Sequence, residues 1–149
     1  IFKAGLDEEN QMQVERALSL TDLTDLRDRR VGTLSGGQRQ RAFIAMALAQ
    51  NTKLLFLDEP TTFLDVRYQV EILRLVERLN REEGITIVMV LHDINQAIYF
   101  SDRIIGLKDG HVAAEGIPDE MITTECIREL YGISLDVATI EGKKFVLTV

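Results

Sequence analysis

The sequence of 149 residues lacks any long run of apolar residues. Its longest apolar stretches, residues 54–57 and residues 85–91 with a threonine at 86, are far shorter than the roughly 20 residues that a membrane-spanning helix needs. We therefore predict that the chain itself does not cross a membrane. With 46% hydrophobic and 28% charged residues it is also unlike a disordered tail, and we expect one globular unit with one modest core.

Cysteine is nearly absent, and the first residues are unlike an N-terminal targeting signal. The single cysteine, Cys126, excludes an internal disulfide, and its apolar neighbours Ile122 and Ile127 indicate a small buried side chain in a reducing compartment. Residues 1–5 contain no initiator methionine and no cationic stretch that leads into an apolar run, so they do not resemble a signal peptide. These features favour the cytoplasm, and the first residues are typical of a cut end.

The chain also lacks an excess of positive charge. Its formal net charge is -7, whereas proteins that bind nucleic-acid phosphates usually display a net basic face. We therefore expect no nucleic-acid partner. The arginines between positions 27 and 41 form the densest basic cluster, which we interpret as a solvated helix face, and a local basic patch stays open as the alternative.

Hydrophobic periodicity indicates an α/β protein with a parallel sheet and flanking helices. Residues 54–57 have the pattern of a strand buried on both faces, and a second such strand follows a helix with a broad apolar stripe. Two strands joined by a helix are expected to be parallel neighbours, and a third strand can join them. The predicted helices are 8–19 (capped by Asp7), 21–30, 35–49, 66–83, 93–98 and 118–132, and the predicted strands are 54–57, 86–91, 104–107, 111–115, 135–140 and 144–149.

A glycine-rich segment lies where a predicted loop becomes a helix. Ser35, Gly36, Gly37 and Gln38 would place a hydroxyl, free backbone N–H groups and the positive end of a helix together. Two adjacent glycines let a nucleotide approach the backbone closely, so the segment suits a phosphate. A glycine-rich turn that is merely capped by Ser35 explains the same residues equally well when they are taken alone.

Two acids follow the first predicted strand. Asp58 and Glu59 lie at its carboxyl end, the edge of a parallel sheet where ligands of open α/β folds bind. One carboxylate can hold magnesium directly or through water, and the other can polarise an attacking water. The alternative is an acid pair that caps a helix beside Pro60.

A histidine follows the second predicted strand. Because a right-handed unit places both carboxyl ends at one edge, His92 can reach the same site and contact a terminal phosphate. Taken alone, a histidine beside Asp93 is more often a structural residue. His111, in a predicted hairpin, keeps the structural interpretation.

In chain order these segments resemble the signature, Walker B, D-loop and switch-histidine motifs of ABC transporter ATPases. The resemblance rests on residues 34–38, 54–60, 64–65 and 92, and it implies a partial P-loop NTPase fold that uses ATP and Mg2+. It further implies that Ser35, Gly36, Gly37 and Gln38 contact the γ-phosphate of ATP bound to the opposite subunit of a head-to-tail dimer.

The same resemblance assigns roles to four further side chains. It implies that Asp58 supports the magnesium ion and that Glu59 is the general base. Asp65 would link the two nucleotide sites across the dimer. His92 would hold the γ-phosphate and sense its hydrolysis.

One departure from the family pattern is that no G-x-x-x-x-G-K-S/T loop occurs in these residues, and the Q-loop is missing as well. We expect that the subunit was cut shortly before Ile1 and that this part alone is inactive. The resemblance divides it into a helical signature subdomain at 1–50, a RecA-like α/β core at 51–116 and a C-terminal helix and hairpin extension at 117–149.

Within the family, residues 91–97, 60–65 and 131–133 resemble importers of iron-siderophore, haem or cobalamin complexes. This implies ATP hydrolysis that powers import of an iron chelate, transmembrane permease partners, a substrate-binding protein as an indirect partner, and a place at the cytoplasmic face of the membrane. A soluble ABC-type ATPase without a membrane partner is the alternative, although no heptad run of a long coiled coil occurs. A non-catalytic module that kept the fold is a third, against which the presence of Glu59 and His92 argues.

Overall fold

The computed structural model describes residues 8–148, and their contacts divide the chain into two compact units. Unit 1 ends at Val90 and unit 2 begins at Leu91. Each unit has its own cluster of buried apolar side chains, so the expectation of one globular unit with one core is wrong. The predicted cap Asp7 lies outside the described residues. Among residues 8–148, no helix is long and apolar enough to cross a membrane.

Unit 1 opens with two helices that pack against each other, α1 (Glu8–Leu20) and α2 (Gly36–Leu48). Both agree with the sequence predictions. Between them, short 3-10 turns at Thr24–Leu26 and Val31–Thr33 replace the helix predicted for residues 21–30. The left-handed backbone of Asp22, with φ of 56°, breaks the helical path at the start of this segment.

The rest of unit 1 is the predicted strand, helix and strand: β1 (Leu54–Asp58), α3 (Val66–Glu83) and β2 (Thr86–Val90). Gly84 ends α3 in a left-handed conformation with φ of 65°, which a residue without a Cβ adopts at little cost. The two strands pair in parallel from Leu54 opposite Thr86 to Asp58 opposite Val90. This pairing confirms the predicted parallel unit.

In the part of the chain that the structure describes, one face of this two-stranded sheet is buried and the other is exposed. Leu55 is 3% exposed, and Leu57 and Ile87 pack on the core of unit 1, whereas Phe56 is 70% exposed and Val90 is 53% exposed. The prediction that both strands are buried on both faces is therefore wrong. A continuous apolar run is compatible with two covered faces, but among the described residues a core forms on one of them.

Unit 2 contains two antiparallel hairpins and three short helices. Asp93 caps α4 by accepting hydrogen bonds from the N–H groups of Asn95 and Gln96, as predicted. The elements in chain order are α4 (Ile94–Phe100), β3 (Ile104–Lys108), β4 (His111–Gly116), α5 (Pro118–Met121), α6 (Thr124–Tyr131), β5 (Val137–Ile140) and β6 (Lys143–Val146).

Each hairpin of unit 2 forms a sheet of its own. β3 pairs with β4, and β5 pairs with β6, both in antiparallel register. Asp109 and Gly110, both with positive φ, form the turn between β3 and β4, and this antiparallel pair agrees with the two strands predicted for residues 104–107 and 111–115. The second hairpin turns at Glu141 and Gly142, both with positive φ, as predicted.

The core of unit 2 is formed by Ile98, Ile122, Ile127 and Val146, each at most 4% exposed. The Asn95 side chain ties α4 to β6, since its amide donates to the Val146 carbonyl at 3.0 Å and accepts from the Val146 N–H at 2.8 Å.

The cysteine that the sequence places among apolar neighbours is half-buried on α6. Burial raises the pKa of the Cys126 thiol, and the nearby Glu129 adds to the effect. A thiol held in its neutral form is a poor nucleophile, so we interpret Cys126 as a packing residue.

Candidate functional site

The glycine-rich segment forms a capped turn at the start of α2, which we call the signature turn (residues 35–38). The Ser35 hydroxyl accepts the Gln38 N–H at 3.3 Å, and the Gln38 side chain accepts the Ser35 N–H at 3.0 Å. This reciprocal pair is a capping box, and it fixes the first turn of the helix. Ser35 and Gly36 are exposed, so the positive end of α2 faces solvent and can receive an anion.

Both glycines of the signature turn lie against the region where α3 begins. A Cβ on Gly36 would lie 3.2 Å from Leu64 Cδ2, and a Cβ on Gly37 would lie 2.9 Å from Tyr68 Cδ1. Neither glycine has a positive φ, so steric room and not backbone conformation requires them here. Gly37 is buried as a result of this contact.

A network of ion pairs near the signature turn joins α2 to α3 and to Asp22. Arg41 contacts Asp22 at 3.2 Å and Glu71 at 2.9 Å, and Arg67 contacts Glu71 at 2.9 Å. Arg78 reaches the same Asp22 carboxylate at 3.3 Å. The hydrogen bond from Arg67, followed by the charge of Arg41, holds the pKa of the Glu71 carboxyl below its usual value even though partial burial acts in the opposite sense.

The acid pair lies at the carboxyl end of β1, as predicted. Asp58 is the last residue of the strand and is exposed. Glu59 adopts a left-handed backbone with φ of 48°, and its N–H donates to the Val90 carbonyl at 3.2 Å. Thr62 Oγ1 donates to Glu59 Oε2 at 3.0 Å. The carboxylate of Glu59 is thereby held by the loop that follows it.

The loop from Glu59 to Asp65, which we call the 59–65 loop, folds back on itself. The Thr62 N–H donates to the Glu59 carbonyl at 3.2 Å, and the Leu64 N–H donates to the Thr61 carbonyl at 3.4 Å. Thr61 is buried, whereas Phe63 is fully exposed with φ of 62°. Asp65 occupies the N-cap position of α3, but its side chain makes no capping hydrogen bond, and it is exposed.

The side chains of the described residues show whether a magnesium ion could bind at this site. Among residues 8–148, no group of three or more His, Cys, Asp or Glu side chains is arranged to hold a metal ion. Mg2+ commonly takes one or two protein carboxylates and completes its shell with water and phosphate oxygens, so the exposed carboxylate of Asp58 fits such an ion as a single ligand.

The two histidines lie in unit 2. His92 is exposed and precedes Asp93, the cap of α4, whereas His111 is the first residue of β4 and is also exposed. Unit 1 therefore brings together the signature turn and the 59–65 loop, through the contact of Gly36 with Leu64, while the predicted switch histidine belongs to the other unit.

Sequence reasoning missed three side chains that shape the site: Thr62, Tyr68 and Arg41. Thr62 stands three residues after Glu59, a spacing at which a threonine can bond back to an acid, so that signal was present. Tyr68 and Arg41 act on residues far from them in the chain, and local patterns carry no signal of that kind.

The chain resembles known proteins along nearly its whole length. Residues 3–62 match the family described as ABC transporter. The petrobactin import ATP-binding protein FpuC of Bacillus anthracis is 48% identical over 144 residues, which are 97% of this chain and 53% of the relative. The ferric enterobactin transport ATP-binding protein FepC of Escherichia coli (strain K12) is 49% identical over 125 residues, which are 84% of this chain and 46% of the relative.

A solved structure of an ABC transporter also matches the chain. An inward-facing conformation of a metal-chelate type ABC transporter matches with a TM-score of 0.84 and 29% identity, over 98% of this chain and 59% of the other. The chain thus spans about half the length of the curated relatives that it matches.

Proposed function

Because the chain belongs to the ABC transporter family as one of its ATP-binding domains, we propose that it supplies the signature and hydrolytic elements of an ATPase that powers the import of an iron chelate. The observation that carries this proposal is the conformation of Glu59. Its backbone is left-handed at φ of 48°, and its carboxylate is fixed by Thr62 at 3.0 Å, at the sheet edge where ligands of open α/β folds bind.

The chemistry assigned to the acids is the hydrolysis of a terminal phosphate. Glu59 accepts a proton from the attacking water, and the hydrogen bond from Thr62 orients its carboxylate for that step. Asp58, one residue earlier at the end of β1, supplies a carboxylate for magnesium. Magnesium, when bound, neutralises the charge that develops on the phosphate oxygens. His92 contacts the γ-phosphate in this proposal.

The signature turn acts on a nucleotide held by a second subunit. Ser35 and Gly36 are exposed at the N-terminus of α2, where a phosphate meets free N–H groups and the positive helix end. A head-to-tail dimer places this surface over the nucleotide of the partner, with Gly37 and Gln38 in the same turn. Asp65, exposed at the start of α3, links the two sites across that dimer.

Similarity to known transport proteins supports the proposed cargo and location. One relative that is 49% identical is named for ferric enterobactin transport, and a matching structure is that of a metal-chelate type ABC transporter. We therefore infer permease subunits as direct partners, a substrate-binding protein as an indirect one, and a peripheral position at the cytoplasmic face of the membrane.

Replacement of the proposed base tests the activity. In the complete subunit that carries these residues, Glu59→Gln should slow ATP hydrolysis by roughly 10² to 10⁴-fold while ATP binding is kept, because an amide cannot accept the proton of water. ATP-bound dimers should accumulate. Glu82→Gln, on the exposed side of α3, is the matched control and should hydrolyse ATP as the wild type does. Hydrolysis by Glu59→Gln within about threefold of wild type would show that Glu59 is not the base.

A further inference from the structure

The second glycine of the signature turn has no room for a side chain. A Cβ on Gly37 would lie 2.9 Å from Cδ1 and 3.3 Å from Cγ of Tyr68, closer than the roughly 3.5–4.0 Å at which carbon atoms attract each other. The atoms approached belong to the root of the ring, which cannot swing aside without a change of the whole side chain. Gly32, by contrast, has nothing within 4 Å of the same position.

Tyr68 is held by a rigid element. It lies in the first turn of α3, whose inner face is fully buried at Ile72 and Leu73. The Gln69 amide donates to the Leu64 carbonyl at 3.0 Å, which fastens the same turn to the 59–65 loop. The Arg67 guanidinium lies 5.9 Å from the centre of the Tyr68 ring. The backbone of Tyr68 is therefore held in place, and its ring, 36% exposed, lies against the signature turn.

The start of α3 lies next to the two features that would face a partner subunit, which are the signature turn and Asp65. Leu64 contacts Gly36, and Tyr68 contacts Gly37, while Asp65 lies between these two residues in the chain. A shift of α3 at its N-terminus would displace the signature turn and Asp65 together.

We propose that Tyr68 is a positioning residue that sets the signature turn against the 59–65 loop through the contact of its ring with the backbone of Gly37. This role rests on the proposed function, because the turn then acts on the nucleotide of the opposite subunit. The contact is made by ring carbons, so phenylalanine can replace tyrosine. Alanine leaves the turn without its support and lets it move from the distance at which its N–H groups meet a phosphate.

A melting series on the 149-residue chain tests the contact itself. Gly37→Ala should lower the melting temperature by about 3 °C or more, whereas Gly32→Ala should change it by about 1 °C or less. In the Tyr68→Ala background, Gly37→Ala should cost no further stability, because the ring that it strikes has been removed. An equal loss in both backgrounds would overturn the proposal.

Kinetics in the complete subunit test the role. Tyr68→Ala should lower kcat at least about tenfold with KM for ATP within about threefold, and Tyr68→Phe should stay within about twofold of wild type. The control is Tyr131→Ala, a half-exposed tyrosine of unit 2, which should leave kcat unchanged. A purely structural role predicts lower stability for Tyr68→Ala with a normal kcat well below its melting temperature, and that result would overturn the proposal.

A wild-type subunit without ATP turnover would reject the proposed function and the positioning role with it, whereas the melting series decides the contact separately.

Discussion

At the scale of single residues, Glu59 combines an unfavourable backbone conformation with a carboxylate at the end of a parallel strand. A left-handed conformation costs a non-glycine residue roughly 1–3 kcal/mol, and glycine would adopt the φ of 48° more cheaply. The side chain is half-buried, and its carboxylate accepts a hydrogen bond from the Thr62 hydroxyl. Strain retained for a carboxylate at the end of a parallel strand is typical of a functional site.

The His92 side chain is exposed, so its replacement can change activity with little change in stability. In the complete subunit, His92→Ala should cut ATP turnover far more than ATP affinity, since the proposed contact matters most as the γ-phosphate leaves. The melting temperature should change by about 1 °C or less, as expected for an exposed position. Kinetics and a melting curve on the same preparation measure both. A loss of activity that only follows a loss of stability would assign His92 a structural role.

At the scale of the elements, local patterns predicted most of the secondary structure. The cap at Ser35, the cap at Asp93 and the stop at Gly84 depend on neighbouring residues, and all three form as expected. The reciprocal bond of Gln38, which completes a capping box at Ser35, was not predicted. The acids of the candidate site also lie at the end of β1 as predicted, because a short apolar run followed by Asp58 and Glu59 places them there.

What the sequence could not predict depends on residues that are distant in the chain. The apolar run of β1 carries no polar residue that would mark an exposed face, so the 70% exposure of Phe56 had no signal. The close approach of Leu130 to Gly106, where a Cβ would lie 2.7 Å from the leucine side chain, and that of Tyr68 to Gly37 arise from tertiary packing alone. A glycine in a sequence does not reveal which side chain lies against it.

The ion pairs of Glu71, with Arg67 on α3 and with Arg41 on α2, predict a dependence of stability on pH. The folded-state pKa of Glu71 is lowered, first by its hydrogen bond with Arg67. A lowered pKa contributes stability that is present above the unfolded value, near 4.5, and that is lost as the pH falls through the folded value. Glu71→Gln should therefore lower the melting temperature at pH 7, and the difference from wild type should vanish at strongly acidic pH.

A second glutamate of α3 provides the control for this measurement. Glu77 pairs with Arg81 on the same helix at 2.9 Å and makes no ion pair to α2 among the described residues. Glu77→Gln should shift the melting temperature less than Glu71→Gln at pH 7. Melting curves recorded across the acidic range compare the two. A Glu71→Gln difference that is independent of pH would show that packing, and not charge, is responsible.

At the scale of the whole molecule, the chain presents features of a nucleotide site without the groups that hold a triphosphate most strongly. Its net charge is -7, and Asp58 and Glu59 add negative charge at the sheet edge. The signature turn offers a helix N-terminus, but a single such end attracts an anion by only about 0.3–1 kcal/mol at an exposed site. Much of the binding in P-loop ATPases comes from a glycine-rich loop, its lysine and a magnesium-binding hydroxyl, and residues 1–149 contain no such motif.

The 149-residue chain by itself should therefore show neither ATP turnover nor saturable ATP binding at millimolar nucleotide with Mg2+ present. The acids repel the triphosphate, and the signature turn closes on a nucleotide that another subunit already holds, so it captures none alone. Isothermal calorimetry measures the binding, and the complete subunit under the same conditions is the positive control. A dissociation constant for ATP in the micromolar range, as for an intact cassette, would mean that residues 1–149 contain a phosphate site other than the one proposed. In that case Ser35→Ala and Glu59→Gln, which alter the two candidate elements of unit 1 separately, would show which of them contributes to it.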